Sequence, residues 1–347
     1  NRLGMNHDKT EVTWKSPSNI ALIKYWGKKE NQIPLNPSIS FTLNKCHTTT
    51  TIKFEDSVKF SYDFYFENKR KPEFIPKLDS FFSRIIEFLP SLNNLSLTIN
   101  SKNSFPHSSG IASSASAFSS IALCLTEIES FYSDLVCKKN FNQKASFISR
   151  LGSGSASRSI FGEISCWGKT ELYKNSSDHY AIPVINSNSD FPRFCDSILI
   201  VDRGTKKVSS TLGHKLMDNH IFKKERISQS HINFSKLKDS IDTNDIDSFI
   251  EIVEKEALTL HALMMTSSPN FILFKPNTIQ IIDSIVEYRK KTGVKVCFTL
   301  DAGANVHLLY PKNSFEKVQS FIQKSLIQFC NSGMYINDEI GLGPQKI

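Results

Sequence analysis

Apolar residues recur along this chain at two spacings, one that suits strands and one that suits helices. Residues 12–60 favour β structure, and the β-branched run at 48–54 fits an edge-type strand. Leu78, Phe81, Phe82, Ile85, Ile86 and Leu89 fall at helical spacing and predict a helix over 77–89. Residues 95–99 alternate as a half-buried strand does. A loop of proline, serine and glycine at 104–110 then leads into a run rich in alanine and serine, read as helix to about Phe131. A second helix near 143–150 ends in Gly152-Ser153-Gly154-Ser155.

The polar run at 186–190 marks a boundary. Beyond it the pattern predicts a strand at 196–201, helices at 244–260 and 278–291, and a strand at 294–300 ending in Asp301-Ala302-Gly303. A strand at 306–310 pairs naturally with that last one. No segment repeats at a fixed period. Strands and helices mixed in each half predict two α+β domains, 1–190 and 191–347, with the cleft between them as the default site.

Composition narrows the class. The 347 residues suffice for about two domains. A hydrophobic fraction of 39%, with 26 phenylalanines, is ample for packed cores. No stretch approaches the ~20 apolar residues of a membrane span. Residues 1–15 are polar, without the apolar core of a signal peptide, so the expectation is a cytoplasmic protein. Seven scattered cysteines without a CxxC pair argue against a disulfide framework and a zinc site. No HxxxH or HExxH spacing occurs, and His214 and His220, six apart, do not share a helical face. Both read as satisfied or exposed histidines. The formal net charge of +8 suits polyanionic ligands, nucleotides or nucleic acid. Its lysines lie in short groups that read as solvated surface, and no basic helix or RNA-binding signature stands out.

Four segments carry chemistry. Pro106-His107-Ser108-Ser109-Gly110-Ile111-Ala112-Ser113-Ser114-Ala115 lies between a predicted strand and a helix. Its small side chains let backbone N–H groups approach an anion, and the helix start adds partial positive charge. Ser113 and Ser114 can add hydroxyl donors or sit near a magnesium ion. The same residues also suit a tightly packed helix start. Asn19 to Lys28 brings Lys24, Tyr25, Trp26 and Lys28 to a glycine turn after an apolar strand, where lysines can hold an anion and the rings can shape a pocket. An ordinary amphipathic strand explains that segment equally well. Ser153, Gly154, Ser155 and Arg158 offer hydroxyls, flexible backbone and a guanidinium able to clamp a carboxylate or phosphate, or else form a linker between helices. Asp301 stands at a strand end with small residues after it, as a general base or as a turn residue.

Together these segments resemble the mevalonate diphosphate decarboxylases, a family of the GHMP kinase superfamily. The loop at 106–115 is similar to the superfamily's ATP loop, PxxxGLxSSA, with Ile111 in the leucine place. NIALIKYWGK from Asn19, PLNPSIS from Pro34, GSGSASRS from Gly152, DAGAN from Asp301 and KVSST from Lys207 match further family segments. The resemblance implies a two-domain GHMP kinase fold, an S5 domain 2-like N-terminal domain and a ferredoxin-like C-terminal domain around a cleft. It implies ATP and Mg2+ as cofactors and mevalonate 5-diphosphate as substrate. The tertiary 3-hydroxyl is phosphorylated, and phosphate and CO2 then leave to give isopentenyl diphosphate.

Residue by residue, the resemblance implies that Asp301 is the catalytic carboxylate, Lys24 the lysine near it, and Arg158 and Asn19 the contacts to the substrate carboxylate region. Tyr25, Trp26, Lys28, Ser153, Ser155 and Ser209 fall to the substrate. Ser108, Ser109, Gly110, Ala112, Ser113 and Ser114 fall to the nucleotide, the last two also as neighbours of Mg2+. Departures are Ser157 for the usual cysteine, Ala304 for proline, Pro37 for serine or aspartate and His107 for threonine. The nearest alternative is the same reaction on the monophosphate, followed by a superfamily kinase that does not decarboxylate. An RNA-binding protein without catalysis is the reading from another class. Neither nucleic acid nor membrane is expected as a partner, and homodimers are common in the family.

Overall fold

Two long strands, β1 (Glu11–Ile23) and β2 (Ser38–Asp56), run antiparallel and form the spine of the larger sheet in the computed structural model. The structure describes residues 10–106, 111, 113–133, 136–184, 190–204 and 210–347. β5 (Leu95–Asn103) pairs with the far side of β2, and β3 (Ser61–Phe66) and β4 (Lys69–Arg70) follow outward from it. β6 (Ile164–Trp167) and β7 (Ala181–Pro183) extend the sheet from the start of β2. The run at 48–54 is therefore central, flanked by β1 and β5, and not an edge.

Its threonines misled because their hydroxyls find partners inside. Thr48 Oγ1 lies 2.7 Å from Ser116 Oγ, and Thr50 Oγ1 lies 2.6 Å from Ser120 Oγ. Ser16 Oγ is 2.6 Å from Ser119 Oγ in the same way. Those serines line one face of α2 (Ser113–Tyr132), so a helix of small residues lies close on the sheet with its hydroxyls satisfied. α1 (Ile75–Ile85) and α3 (Phe141–Gly152) pack together beside α2 over an apolar cluster that includes Phe81, Leu97, Phe118 and Ile148.

The smaller sheet has the order β11 (Tyr335–Glu339), β8 (Phe194–Leu199), β10 (Val306–Pro311), β9 (Cys297–Thr299), all antiparallel. The pairing predicted between the last two strands is present, with His307 opposite Thr299. α4 (Ser210–Lys215), α5 (Lys223–Asp242), α6 (Ile246–Met265), α7 (Pro276–Thr292) and α8 (Phe315–Phe321) accompany this sheet. α5 escapes an apolar-periodicity reading because much of its buried face is polar: Arg226, Ser230 and Asn233 beside Phe234 and Leu237. The result is the mixed α+β, two-sheet architecture expected. We propose the division at 190/191 as the domain boundary: the larger sheet is built before it, apart from β12 (Gln345–Lys346), which returns to pair with β1. Among the described residues no helix is long and apolar enough to cross a membrane.

One cluster joins the two halves: Ile20, Leu22 and Phe41 from the larger sheet pack with Ile198, Phe234, Phe249, Val253 and Leu309 from the rest. A polar tie reinforces it. Asp338 of β11, buried, accepts the backbone N–H groups of Asn44, Lys45 and Cys46 at 3.0, 2.8 and 2.7 Å. Removing that carboxylate strands three donors. We expect Asp338→Ala to lower the unfolding free energy in urea by about 3 kcal/mol, and Asp338→Asn, which keeps one oxygen, by less. An alanine variant within about 0.5 kcal/mol of the parent would sink this account.

Candidate active site

β1 stops at Ile23, and the backbone of Lys24 is taken over by three side chains, two of them from the other half. Its N–H donates to Glu256 Oε2 at 2.9 Å. Its carbonyl accepts from Asn36 Nδ2 at 2.9 Å and from Arg226 Nη2 at 3.0 Å. Arg226 of α5 donates to both oxygens of Glu256 of α6, each at 2.7 Å, and Asn233 Nδ2 donates to Oε1 at 2.7 Å. This pair is buried, and both oxygens of the carboxylate have donors, as a buried charge requires.

From that anchored backbone the Lys24 side chain, 2% exposed, reaches Asp301 Oδ1 at 3.2 Å. Burial pushes the Lys24 pKa below the usual lysine value, and the Asp301 charge opposes the shift. Asp301 follows β9, and its backbone oxygen lies 3.0 Å from His261 Nε2 on α6. Burial lowers the His261 pKa to about 4, so the neutral ring donates from Nε2, stacked on Phe274 at 4.2 Å between centroids.

Arg158 sits in a 3-10 turn over Gly154–Ile160 and is 2% exposed. Its Nε donates to Ser40 Oγ at 3.1 Å, Nη1 to Ser38 Oγ at 2.6 Å and Nη2 to Asn19 Oδ1 at 3.3 Å. Asn19 is fixed in turn by donating to Ser159 Oγ at 2.7 Å and Ser155 O at 3.1 Å. Burial lowers the Arg158 pKa to about 10, which leaves it charged at neutral pH, and two of its five N–H groups stay available.

Tyr25 packs edge-on against Trp167 at 4.7 Å and over His214 at 4.2 Å. Its hydroxyl is buried with no hydrogen-bond partner among the described residues, and burial raises its pKa. Gly154 is required here: a Cβ would lie 2.6 Å from Trp167 Cη2 and 2.8 Å from Tyr25 Oη. Trp26, 5% exposed, packs mainly into a cluster with Met217, Leu260 and Met264. Gly27, at φ +89°, donates its N–H to His214 Nδ1 at 2.9 Å. His214 and His220 are thus both satisfied core histidines, the second accepting from Phe222 N at 3.1 Å. Lys28 Nζ donates to Gln32 Oε1 at 2.7 Å, and burial, helped by the Arg84 charge, lowers its pKa. Buried Arg150 steadies that loop by donating to Asn31 O and His179 O.

Several of these residues border one cleft of about 950 Å³. It is lined by Asn19, Lys24, Tyr25, Trp26, Lys28, Ser113, Ser114, Ser153, Ser155, Arg158 and Asp301, all among the residues singled out along the chain. Ser108, Ser109, Gly110, Ala112 and Ser209 lie outside the described residues. Among the described residues six cationic side chains line the cleft, Lys24, Lys28, Lys29, Lys77, Arg84 and Arg158, against two carboxylates, Glu30 and Asp301. Beyond the serines the wall turns aromatic, with Phe64, Phe66, Phe74 and Phe118. The sequence reading missed Arg84 and Lys77, and also Glu256, Arg226 and His261. The first two stand on or beside a helix whose polar positions look solvated.

The geometry can be set against known proteins. Residues 16–181 match the model of the diphosphomevalonate decarboxylase-like N-terminal domain, and residues 197–339 that of the mevalonate 5-diphosphate decarboxylase C-terminal domain. The diphosphomevalonate decarboxylase of Saccharomyces cerevisiae is 30% identical over 332 residues, covering 89% of this chain and 80% of that protein. The chain belongs to the diphosphomevalonate decarboxylase family. The Ganoderma lucidum member is 29% identical over 92% of this chain and 83% of its own length. Among solved structures, mevalonate diphosphate decarboxylase from Staphylococcus aureus superposes with a TM-score of 0.83 at 29% identity, covering 97% of this chain and 98% of that one. The complex of MDDEF with MVAPP, AMPPCP and magnesium gives 0.83 at 26% identity, with 97% and 99% covered.

The buried histidines of this family member set an acid limit. Burial first, and the Lys28 charge second, depress the His214 pKa to about 3. In the unfolded chain the ring takes a proton near pH 6.5. Between those values the unfolded chain binds more protons, so stability is full above the upper value and falls as pH drops. One group contributes at most about 1.4 kcal/mol per pH unit. His214→Asn, which keeps an acceptor for Gly27, should flatten the fall in Tm between about pH 6.5 and about pH 5. An unchanged slope would remove His214 from the account.

Proposed function

We propose that this chain catalyses the ATP-dependent decarboxylation of mevalonate 5-diphosphate to isopentenyl diphosphate, releasing ADP, phosphate and CO2. The observation that carries the reading is the 3.2 Å contact of buried Lys24 with Asp301 on the wall of a cleft rich in cations. Hydroxide leaves poorly, so the hydroxyl on C3 is first made into a phosphate ester. Asp301 accepts the hydroxyl proton as the new O–P bond forms. The Lys24 ammonium favours the ionised carboxylate beforehand.

When the phosphate departs with its bonding pair, positive charge builds at C3. The C–C bond to the carboxylate then supplies the electrons of the alkene, and CO2 is lost. Arg158 orients that carboxylate with its two remaining N–H groups, and Asn19 holds Arg158. Lys28 and Arg84 neutralise the diphosphate, while Ser153, Ser155 and the unpartnered Tyr25 hydroxyl supply donors around it. Trp26 forms the wall behind. Bound Mg-ATP supplies the phosphoryl group and added positive charge. Ser113 and Ser114 at the start of α2 suit its phosphates and metal, and the aromatic end of the cleft suits its base.

The test is release of ADP and CO2 with Mg-ATP from mevalonate 5-diphosphate against the 5-monophosphate. Both products with the diphosphate support the proposal, both with the monophosphate alone move the substrate, and ADP without CO2 makes the protein a kinase. In that assay Asp301→Asn should keep ATP binding yet lose turnover by about 10²-fold or more, and near-normal turnover would remove Asp301 from the reaction. Arg158→Lys keeps a charge but has at most three donors for Ser38, Ser40, Asn19 and a ligand. We expect kcat/KM to fall by about tenfold or more, the loss of one charged hydrogen bond, and unchanged kinetics would make the arginine structural.

A further inference from the structure

Lys24 and Asp301 come from opposite halves of the chain, and both are held by the same helix. Glu256 of α6 accepts the Lys24 backbone N–H at 2.9 Å. His261, five residues further along α6, holds the Asp301 backbone oxygen at 3.0 Å. Neither contact touches the side chain that does the chemistry. The geometry points to Glu256 and His261 as positioning residues that set the separation of Lys24 from Asp301, with α6 as the common gauge. This rests on the reading above, in which that pair performs the proton transfer.

Two features make the helix a rigid gauge. α6 is 20 residues long, packs on both β1 and β9, and buries Glu256 and His261 to 0% and 1% exposure. Each contact is also fixed from behind. Arg226 and Asn233 lock the carboxylate of Glu256, and Phe274 stacks within 7° of parallel on the His261 ring. Neither strand could do this alone, because β1 ends at Ile23 and β9 at Thr299, leaving both reacting residues beyond the last ladder hydrogen bonds. The consequence is that Lys24 and Asp301 move together with α6 in any rearrangement of the cleft.

The test compares His261→Leu, which removes the donor, with His261→Gln, whose amide can still donate. Steady-state kinetics of the full chain should show kcat down about tenfold or more for the leucine variant, with both KM values nearly unchanged. Glutamine should restore most of the turnover. Wild-type kcat in His261→Leu, or equal losses in both variants, would overturn the assignment. Glu256→Gln offers a second route should the leucine variant not fold: it keeps an acceptor but weakens the lock, and kcat should fall with KM held. If the parent enzyme turns over none of the tested acids, the function proposed above fails on its own. The gauge is then decided by the crystal structure of His261→Leu or Glu256→Gln. A Lys24 Nζ to Asp301 Oδ1 separation beyond about 4 Å supports it, and an unchanged contact overturns it.

Discussion

A cation buried among neutral partners is the constraint on which the rest of this structure turns. The Arg158 guanidinium is almost wholly out of water, and the three groups it bonds, Ser38, Ser40 and Asn19, carry no charge. Hydrogen bonds lower the cost of such a charge without removing it. Lys24 is equally desolvated, with one carboxylate to share. The cleft therefore stores an excess of positive charge that only a polyanionic ligand neutralises in full. That imbalance explains the polar beginning of β2 and the choice of asparagine at 19: Ser38, Ser40 and Asn19 each place a neutral oxygen where the fold must hold a cation.

The larger sheet solves a related problem with hydroxyls. Threonines of β2 and serines of α2 bond to one another across the helix–sheet interface, so small polar residues fill a place usually given to branched aliphatics. Close approach follows from the small side chains. The start of α2 is thereby fixed at the cleft, where Ser113 and Ser114 face the same space as Lys24 and Asp301.

Much of this was legible along the chain. Asp301 and Lys24 stand at strand ends beside small or turn-forming residues, and Arg158 stands among serines and glycine, so residue type and local setting both pointed to a site. Glu256, Arg226 and His261 were not legible. Each reaches Lys24 or Asp301 through a backbone group, and Glu256 lies 232 residues from Lys24, so no local spacing marks them. α5 was lost for the same reason, because its buried face serves Glu256 with Arg226 and Asn233 in place of apolar residues. The central position of 48–54 was misread as an edge because hydroxyls look solvated until their partners on α2 are known.

The apolar cluster shared by the two halves limits how the chain can be divided. Ile20, Leu22 and Phe41 are packed against Phe234, Phe249 and Val253, so this cluster closes only when both halves are present. A gene fragment encoding one half would yield a chain with an open oily face and only one of Lys24 and Asp301. The two halves must therefore be made as a single piece, and close packing requires a change of volume on one side of the cluster to be met on the other.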